Sequence, residues 1–292
     1  MPNKNLDMSN PTKGQRPSAM VVTDLDGTLL NSVADLSPTN RETLQSLAAN
    51  NIIRVAATGR SLWSALNVID TNTPLDYLVF TSGAGIVNWP ECTLLYTRHL
   101  SHKQVLNAAL VLREFGCDFM LHASVPENHH FWYHRQSTHN PDFQHRIEHY
   151  RSYCKPWPDS ALTGDTFSQL LVIQHPNHQV VNQPQLTTAL APLNVIRTTS
   201  PLDHTSTWFE IFPPQVSKAS GIQWLADRYH LNSGAALVIG NDYNDLQMLE
   251  WAQRAAVVAN APIELCQRFE IVPGNDEDGF SVAVHDWLAT WI

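Results

Sequence analysis

Charged residues and cysteines are both scarce in this chain. Asp, Glu, Lys and Arg together make up 15% of its 292 residues, whereas apolar residues make up 43%. This balance excludes a disordered polyelectrolyte and predicts a sizeable hydrophobic core. The four cysteines, Cys92, Cys117, Cys154 and Cys266, include no closely spaced pair. They therefore predict neither a zinc site nor a disulfide framework, and they favour a reduced cytoplasm.

Long apolar runs and basic segments are also missing. No run of the sequence approaches the ~20 apolar residues of a transmembrane helix. Residues 1–17 are polar, which predicts a flexible tail and not a signal peptide. The formal net charge of -9 argues against a nucleic-acid-binding protein. We expect a cytoplasmic protein without a membrane or nucleic-acid partner, and no pattern indicates an oligomeric state.

Strand and helix patterns alternate in two segments, residues 18–85 and 213–292. The predicted strands there are "AMVVT" (19–23), "IIRVAATGR" with its exit (52–60), "YLVFTSG" (77–83), "AALVIG" (235–240) and "AAVVA" (255–259). Helices are predicted between them, one beginning at Ser37-Pro38 and one over 61–70. This alternation predicts an α/β fold with a doubly wound parallel sheet, similar to a Rossmann fold.

The middle segment, residues 86–212, breaks this rhythm. It is rich in Trp and Pro and holds 12 of the 14 histidines. We predict that it forms an inserted α/β cap domain, with a helix at 104–115 and strands at 171–175 and 207–212. At 292 residues, the chain is long enough for two domains.

Polar clusters follow three of the predicted core strands. The first strand ends in Asp24 and Asp26, the second in Thr58-Gly59-Arg60, and the fourth in the segment 240–245. Lys218 lies at the start of the helix that precedes the fourth strand. Ligands of open parallel sheets bind beyond the carboxyl ends of the strands, so these clusters are expected to meet.

These residue types suit phosphoryl transfer. Neighbouring carboxylates repel each other unless a cation lies nearby or one of them takes up a proton. Oxygen ligands on short loops suit Mg²⁺, which usually binds carboxylates together with a phosphate. Thr58, the Gly59 amide and Lys218 are donors that suit phosphate oxygens. Positioning and charge neutralisation provide most of the catalysis in such reactions.

Four motifs, in this order, resemble those of the haloacid dehalogenase superfamily. They are "DLDGTLL" (24–30), "ATGR" (57–60), "VSKASGIQWLA" (216–226) and "GNDYNDLQML" (240–249). "VANAP" (258–262) and "NDEDG" (275–279) further resemble the Cof-like phosphatases, whose C2-type cap is inserted between the second and third motifs. The resemblance covers roughly the two core segments.

The resemblance implies a role for each motif residue. Asp24 would be the nucleophile that takes the phosphoryl group, and Asp26 the general acid and base, on a turn shaped by Gly27 and Thr28. Mg²⁺ would be held by Asp24, by the Asp26 carbonyl and by the loop that carries Asn241 and Asp242. The implied phosphate-binding groups are the Leu25 amide, Thr58, Gly59, Lys218 and Asn244. Asp245 would orient metal-bound waters or Lys218.

Two positions leave alternatives open. Arg60 could contact the substrate or pair with an acidic residue. The fourth motif of the family usually begins Gly-Asp, whereas Asn241 follows the glycine here and Asp242 comes next. We expect Asn241 to bind the metal directly and Asp242 to act one layer further out. The alternative for Asp242 is a cap on the following helix.

The histidines of the middle segment could suggest a metal site. His129, His130 and His134 lie in "HHFWYHR", and His145 and His149 have a spacing that can bind zinc on a helix. No Cys or Glu pattern of a zinc site accompanies them, so we interpret them as ordinary polar residues, some of which line the substrate pocket.

Together these features predict Mg²⁺-dependent hydrolysis of a small phosphorylated metabolite, with a sugar phosphate as one candidate, through an aspartyl-phosphate. Two alternatives remain. A sugar phosphomutase would use the same nucleophile, and a catalytically silent sensor would bind a phosphate ligand on the same fold.

Overall fold

The computed structural model describes residues 17–158, 162 and 164–291. The predicted tail at 1–17 lies outside these residues except for Pro17. The strands are β1 (Ala19–Thr23), β2 (Ile52–Ala57), β3 (Tyr77–Phe80), β4 (Gly85–Asn88), β5 (Leu94–Thr97), β6 (Leu100–Ser101), β7 (Phe119–Ala123), β8 (Phe131–His134), β9 (Cys154–Pro156), β10 (Thr166–Gln174), β11 (Asn194–Thr199), β12 (Thr207–Phe212), β13 (Ala236–Gly240), β14 (Arg254–Val258) and β15 (Glu270–Val272).

The helices alternate with these strands at both ends of the chain. They are α1 (Pro38–Ala49), α2 (Leu62–Ala65), α3 (His102–Glu114), α4 (Pro141–His149), α5 (Gln183–Ala189), α6 (Lys218–Tyr229), α7 (Leu246–Trp251), α8 (Ile263–Cys266) and α9 (Gly279–Trp291). The predicted start of α1 is confirmed, because the Ser37 side chain accepts a hydrogen bond from the Asn40 N–H and Pro38 is the first helical residue. None of the described helices is both long and apolar enough to cross a membrane.

The first sheet has the order β15-β14-β13-β1-β2-β3-β4-β5. Its strands from β15 to β3 run parallel, and β1 lies in the middle between β13 and β2. Apolar side chains of α1 and α9 cover one face, and those of α6 and α7 cover the other. The predicted α/β class with a doubly wound sheet is confirmed.

The first sheet extends past residue 86, where the inserted segment was predicted to start. β4 turns back on β3 as an antiparallel hairpin, with Asn88 opposite Tyr77, and β5 continues at the sheet edge. The first sheet therefore continues to Thr97. An antiparallel hairpin needs only a short connection. The sequence pattern of these residues did not distinguish such a hairpin from the start of a new domain.

The second sheet is formed between β5 and α6. Its order is β11-β12-β10-β7-β8-β9, and β6 pairs with β10. One face packs against α3 and α5. The other face carries α4 and an aromatic cluster, which Trp63 of α2 joins from the first part of the chain. This contact brings the second sheet over the carboxyl ends of the first.

Candidate active site

Asp24 lies where the two central strands of the first sheet end. It directly follows β1, and its N–H donates to the Ile239 carbonyl in β13 (3.0 Å). The next residues form a tight turn, closed by the Leu30 N–H and the Leu25 carbonyl (2.9 Å). Gly27 has φ +69° in this turn, and a Cβ there would lie 2.6 Å from Asn241 Nδ2. The "DLDGT" motif thus folds because this position has no side chain.

Lys218 joins the third and fourth motifs to Asp24. It begins α6, whose Ser217 cap accepts a hydrogen bond from the Ser220 N–H (3.2 Å). Its Nζ lies 2.8 Å from Asp24 Oδ1, 2.7 Å from Asp245 Oδ1 and 3.3 Å from Asn244 Oδ1. Only 1% of Lys218 is exposed. The site therefore contains a buried ammonium group with carboxylates on two sides.

The electrostatics of this cluster favour an additional cation. Burial raises the pKa of Asp24 to about 8; Lys218 opposes this shift, and the carboxylates of Asp245 and Asp26 add to it. Burial alone would lower the pKa of Lys218, but Asp24 and Asp245 attract its charge and raise it. One lysine therefore does not offset the negative charge around Asp24.

The Asn241 side chain lies against the second oxygen of Asp24. Turned with its nitrogen inwards, the amide donates to Asp24 Oδ2 (3.2 Å), the Asp26 carbonyl (3.1 Å) and Thr28 Oγ1 (3.1 Å). Turned with its oxygen inwards, it accepts from Thr28 Oγ1 (3.1 Å) and adds an oxygen beside the other two. In this second orientation the Asn241 oxygen converges with Asp24 Oδ2 and the Asp26 carbonyl oxygen, and such a set of oxygens fits Mg²⁺.

The Asp242 carboxylate binds two residues of the second sheet. Its Oδ2 accepts from Thr198 Oγ1 (2.7 Å) and the Thr199 N–H (2.9 Å), and its Oδ1 accepts from Thr199 Oγ1 (3.1 Å). β11 of the second sheet therefore binds the Asp242 carboxylate, which was expected to act one layer out from the metal. Asp242 is also the N-cap residue of the turn Tyr243–Asp245 before α7, where Asp245 Oδ2 accepts the N–H groups of Asn241 (2.8 Å) and Asp242 (3.1 Å).

Thr58 and Gly59 lie beside this cluster, as the sheet geometry predicts. The Thr58 N–H donates to the Val79 carbonyl (2.8 Å), and Thr58 is 1% exposed. Thr58 Oγ1 accepts the Arg60 N–H (3.1 Å), which leaves its hydroxyl proton available for an anion. A Cβ on Gly59 would be 3.5 Å from Asn244 Nδ2, so the backbone passes close to the fourth motif.

Of the two alternatives for Arg60, the structure shows the carboxylate pair. Its Nε lies 2.7 Å from Asp26 Oδ2 and its Nη2 lies 2.7 Å from Asp26 Oδ1. Nη1 donates to Ser64 Oγ (3.0 Å). Burial would lower the pKa of Arg60, but its hydrogen bonds with Asp26 raise it overall.

Glu210 is a site residue that the sequence analysis missed. It comes from β12, is 5% exposed, and its Oε2 accepts from Ser82 Oγ (2.7 Å) in the turn after β3. Burial raises its pKa to about 7, against the effects of Ser82 and Lys218. A signal existed: a single carboxylate within the apolar strand "TWFEIF" is unusual unless something requires it.

The histidines predicted to be ordinary polar residues fall into different environments. His145 and His149 are exposed on α4. His129 stacks on Trp63 with ring centroids 5.4 Å apart. The carboxylate of Glu127 lies 3.8 Å from His129 and 3.8 Å from His130, a group that could hold a metal ion. His129 therefore lies where the second sheet contacts Trp63 of α2.

Comparison with known proteins decides the family. Residues 21–284 match the haloacid dehalogenase-like hydrolases. The chain belongs to this family. The predicted superfamily and the predicted hydrolase class are thereby confirmed. A Haemophilus influenzae protein named "Putative phosphatase" is 25% identical over 275 residues, which cover 91% of this hydrolase and 97% of that protein.

Solved structures support the fold. One is BT1666 of Bacteroides thetaiotaomicron, described among the phosphatases of the superfamily. It matches with a TM-score of 0.74 and 18% sequence identity, and the match covers 96% of this hydrolase and 99% of BT1666. The subclass IIB sugar phosphatase BT4131 has a TM-score of 0.71 at 14% identity, with 92% and 98% covered. At these identities the likeness shows the fold alone.

Proposed function

We propose that this hydrolase cleaves phosphate monoesters of small molecules through an aspartyl-phosphate on Asp24, with Mg²⁺ as cofactor. One observation carries the proposal. Asp24 is buried at the end of β1, with Lys218 Nζ 2.8 Å from one of its oxygens. A buried carboxylate with an ammonium group at one oxygen, and with the other oxygen facing the groups that fit Mg²⁺, suits attack on a phosphoryl group.

The reaction has two half-reactions. In the first, an Asp24 oxygen forms a bond to phosphorus while the bond to the leaving oxygen breaks, and Asp26 gives that oxygen a proton. In the second, water attacks the phosphorus, its proton goes to Asp26, and Asp24 is released. The pair with Arg60, whose Nε and Nη2 each lie 2.7 Å from an Asp26 oxygen, fixes the orientation of the carboxyl group that gives and takes this proton.

The remaining motif residues bind and orient the phosphoryl group. The Thr58 hydroxyl, the Leu25 and Gly59 amides and the Asn244 side chain supply neutral donors, and Lys218 supplies charge. Asp245 orients the Lys218 ammonium and the two N–H groups that follow β13. Asp24, the Asp26 carbonyl and Asn241 would hold Mg²⁺, whose positive charge would offset the carboxylates and the phosphate.

We further propose that the substrate is a small phosphorylated metabolite and that the protein acts in the cytoplasm. The contacts of Glu210 with Ser82 and of Asp242 with Thr198 join the second sheet to the site, and a covered site favours a small substrate over a polymer. The net charge of -9 supports the same conclusion, because a polyanion would be repelled.

Release of inorganic phosphate from p-nitrophenyl phosphate with Mg²⁺ tests the proposal. Wild-type protein should turn over, Asp24→Asn should not, and acid quenching during turnover should trap phosphate on the wild-type chain. Asp35→Asn is the matched control, since Asp35 is exposed and away from the site. Turnover by Asp24→Asn at the wild-type rate would refute the covalent mechanism.

A further inference from the structure

The loop between β7 and β8 brings two histidines and a glutamate together. Residues 127–130 form a tight turn, in which the His130 N–H donates to the Glu127 carbonyl (3.0 Å). Such a turn places its first and last residues side by side. The rings of His129 and His130 lie close to each other, with centroids 4.2 Å apart. Neighbours that would point to opposite faces of a strand therefore meet here.

The side chains of this turn offer three metal-ligand atoms that converge. Glu127 Oε2 lies 3.8 Å from His129 Nε2 and 3.8 Å from His130 Nδ1. The ligand atoms of the three residues all lie within 4.8 Å of one another. Ligand atoms around a tetrahedral Zn²⁺ are about 3.4 Å apart, so small side-chain rotations would close the site. In the part of the chain that the structure describes, no other group of three His, Cys, Asp or Glu side chains converges in this way.

His129 is the buried member of this group. It is 9% exposed and stacks on Trp63 of α2, with ring centroids 5.4 Å apart and planes 15° apart. Its Nδ1 is shielded from solvent and has no hydrogen-bond partner among the described residues. Its Nε2 faces the Glu127 carboxylate across 3.8 Å, which is too long for a hydrogen bond. A buried polar ring in this state costs free energy, and a bond from Nε2 to a metal ion would offset part of that cost.

The turn is held in place by contacts with both sheets. Asn128 Nδ2 donates to Thr81 Oγ1 (2.8 Å) in the turn after β3, and the Asn128 carbonyl lies 2.7 Å from His122 Nδ1 in β7. Ligands on a fixed turn need little reorganisation to bind an ion. The side chains of Glu127 and His130 are 68% and 48% exposed, so an ion can enter and water can complete its coordination.

The ligand atoms of this group favour a transition metal. Imidazole nitrogens suit Zn²⁺, Cu²⁺ and Ni²⁺, whereas Mg²⁺ binds oxygen ligands. His130 Nδ1 also lies 3.3 Å from the Glu127 carbonyl, a contact that needs the proton on Nδ1. Because His130 is exposed, its ring can carry the proton on Nε2 instead, which leaves Nδ1 as a ligand. The group therefore differs in chemistry from the oxygens around Asp24.

We propose that Glu127, His129 and His130 form a separate metal site, which binds Zn²⁺ and strengthens the contact of the β7–β8 loop with α2. A metal ion on His129 would fix its ring against Trp63, the residue through which α2 joins the aromatic cluster of the second sheet. Zn²⁺ would thus stabilise the two sheets against each other. This inference does not depend on the phosphatase function proposed above.

Calorimetric titration of Zn²⁺ into protein without a histidine tag, in excess Mg²⁺, tests the proposal. Wild-type protein should bind Zn²⁺ saturably, and Glu127→Gln and His130→Gln should each weaken this binding by at least about tenfold, because each removes one of three ligands. Both residues are exposed, so both variants should fold. His145→Gln is the control, since His145 is exposed on α4 outside the group, and its affinity should stay within about twofold.

Fluorescence shows whether the ion lies beside Trp63. Co²⁺ binds ligand sets similar to those of Zn²⁺ and quenches nearby indole rings, so it should lower the fluorescence of wild-type protein. Trp63→Phe should remove this quenching while Co²⁺ affinity stays within about threefold, because phenylalanine keeps an aromatic ring against His129. Trp224→Phe is the control, since Trp224 lies on α6 against Tyr96, and the quenching should persist.

Thermal denaturation measures the effect on the contact between the sheets. Zn²⁺ should raise the melting temperature of wild-type protein and of His145→Gln, and the rise should be lost in Glu127→Gln and His130→Gln. No saturable Zn²⁺ binding by wild-type protein, equal affinities in all variants, or an equal loss in His145→Gln would overturn the inference. Quenching by Co²⁺ that survives in Trp63→Phe would also overturn it, because the ion would then lie elsewhere.

Discussion

Arg60 binds both carboxylate oxygens of Asp26, with two N···O distances of 2.7 Å. Arg60, from the second motif, therefore fixes the orientation of Asp26, the residue of the first motif that is proposed for acid–base catalysis. A planar guanidinium binds a carboxylate at two points, which the point charge of a lysine cannot do. Arg60 is in this sense a positioning residue, and its donors to Asp26 are not free for the substrate.

Arg60→Lys should therefore lower kcat by about tenfold while KM stays within about twofold, because the substitution loses the fixed orientation and keeps the charge. Steady-state kinetics with p-nitrophenyl phosphate measure the split. Arg41→Lys is the control, since Arg41 hydrogen-bonds an exposed carbonyl far from the site. A large rise in KM with unchanged kcat would instead assign Arg60 to substrate binding.

Substitution of the two carboxylates of the first motif should have unequal effects. Asp24→Asn should abolish turnover, since no covalent intermediate can form. Asp26→Asn should retain a residual rate, lowered by about 10²–10⁴-fold, which is the usual contribution of general acid–base catalysis. Circular dichroism should show both variants folded. Equal residual rates in the two variants would contradict the assigned roles.

Stability should depend on pH through Asp24. Its pKa is raised from 3.8 to about 8, so the folded protein binds a proton that the unfolded chain has lost. Stability from this group is full below its ordinary pKa and is lost as pH rises through about 4 to 8. Melting temperatures with a chelator present should show Asp24→Asn gaining on wild type across this range. Parallel curves for the two proteins would count against the raised pKa.

The Mg²⁺ dependence of the rate should change when Asn241 is replaced. A chelator should remove activity and Mg²⁺ should restore it. Asn241→Asp should lower the Mg²⁺ concentration for half-maximal rate, because a charged oxygen replaces a neutral one beside Asp24 and the Asp26 carbonyl. The Mg²⁺ titration of each variant measures this effect. An unchanged titration would place the metal away from Asn241.

Asp242→Asn should leave the Mg²⁺ titration unchanged, because the Asp242 carboxylate binds Thr198 and Thr199. The change should instead destabilise the contact between the two sheets, by about 1 kcal/mol for a weakened hydrogen-bonded group. Thermal denaturation measures this loss, and Thr198→Val should reproduce it. A shifted Mg²⁺ titration in Asp242→Asn would restore the metal role that the sequence predicted.

The sequence predicted which residues meet at the site where their meeting depends only on the ends of parallel strands. Asp24, Thr58 and the segment 240–245 meet because parallel strands deliver their carboxyl ends to one edge, and Lys218 joins them from the start of α6. That argument needs only the order of strands and helices. The assigned chemical roles of these residues remain predictions for the experiments above.

The order of strands and helices could not predict the contacts that the second sheet makes with the site. Periodicity identified β12 as a strand but could not show that Glu210 faces Ser82, because that contact joins residues 128 positions apart. The partner of Asp242 was missed for the same reason. The third strand was predicted to reach residue 83, yet it ends at Phe80 because Thr81 and Ser82 adopt φ values of +50° and +48°. Threonine rarely adopts that conformation, so no sequence rule predicts it.

The conformation and surroundings of Gly27 limit which residues can replace it. A methyl group at this position would strain a turn with positive φ and would also lie 2.6 Å from the Asn241 amide. One substitution would thus disturb both the backbone that presents Asp26 and the residue that faces Asp24. In a saturation library selected for activity, position 27 should tolerate almost no replacement, whereas exposed Val33 a few residues later should accept nearly any.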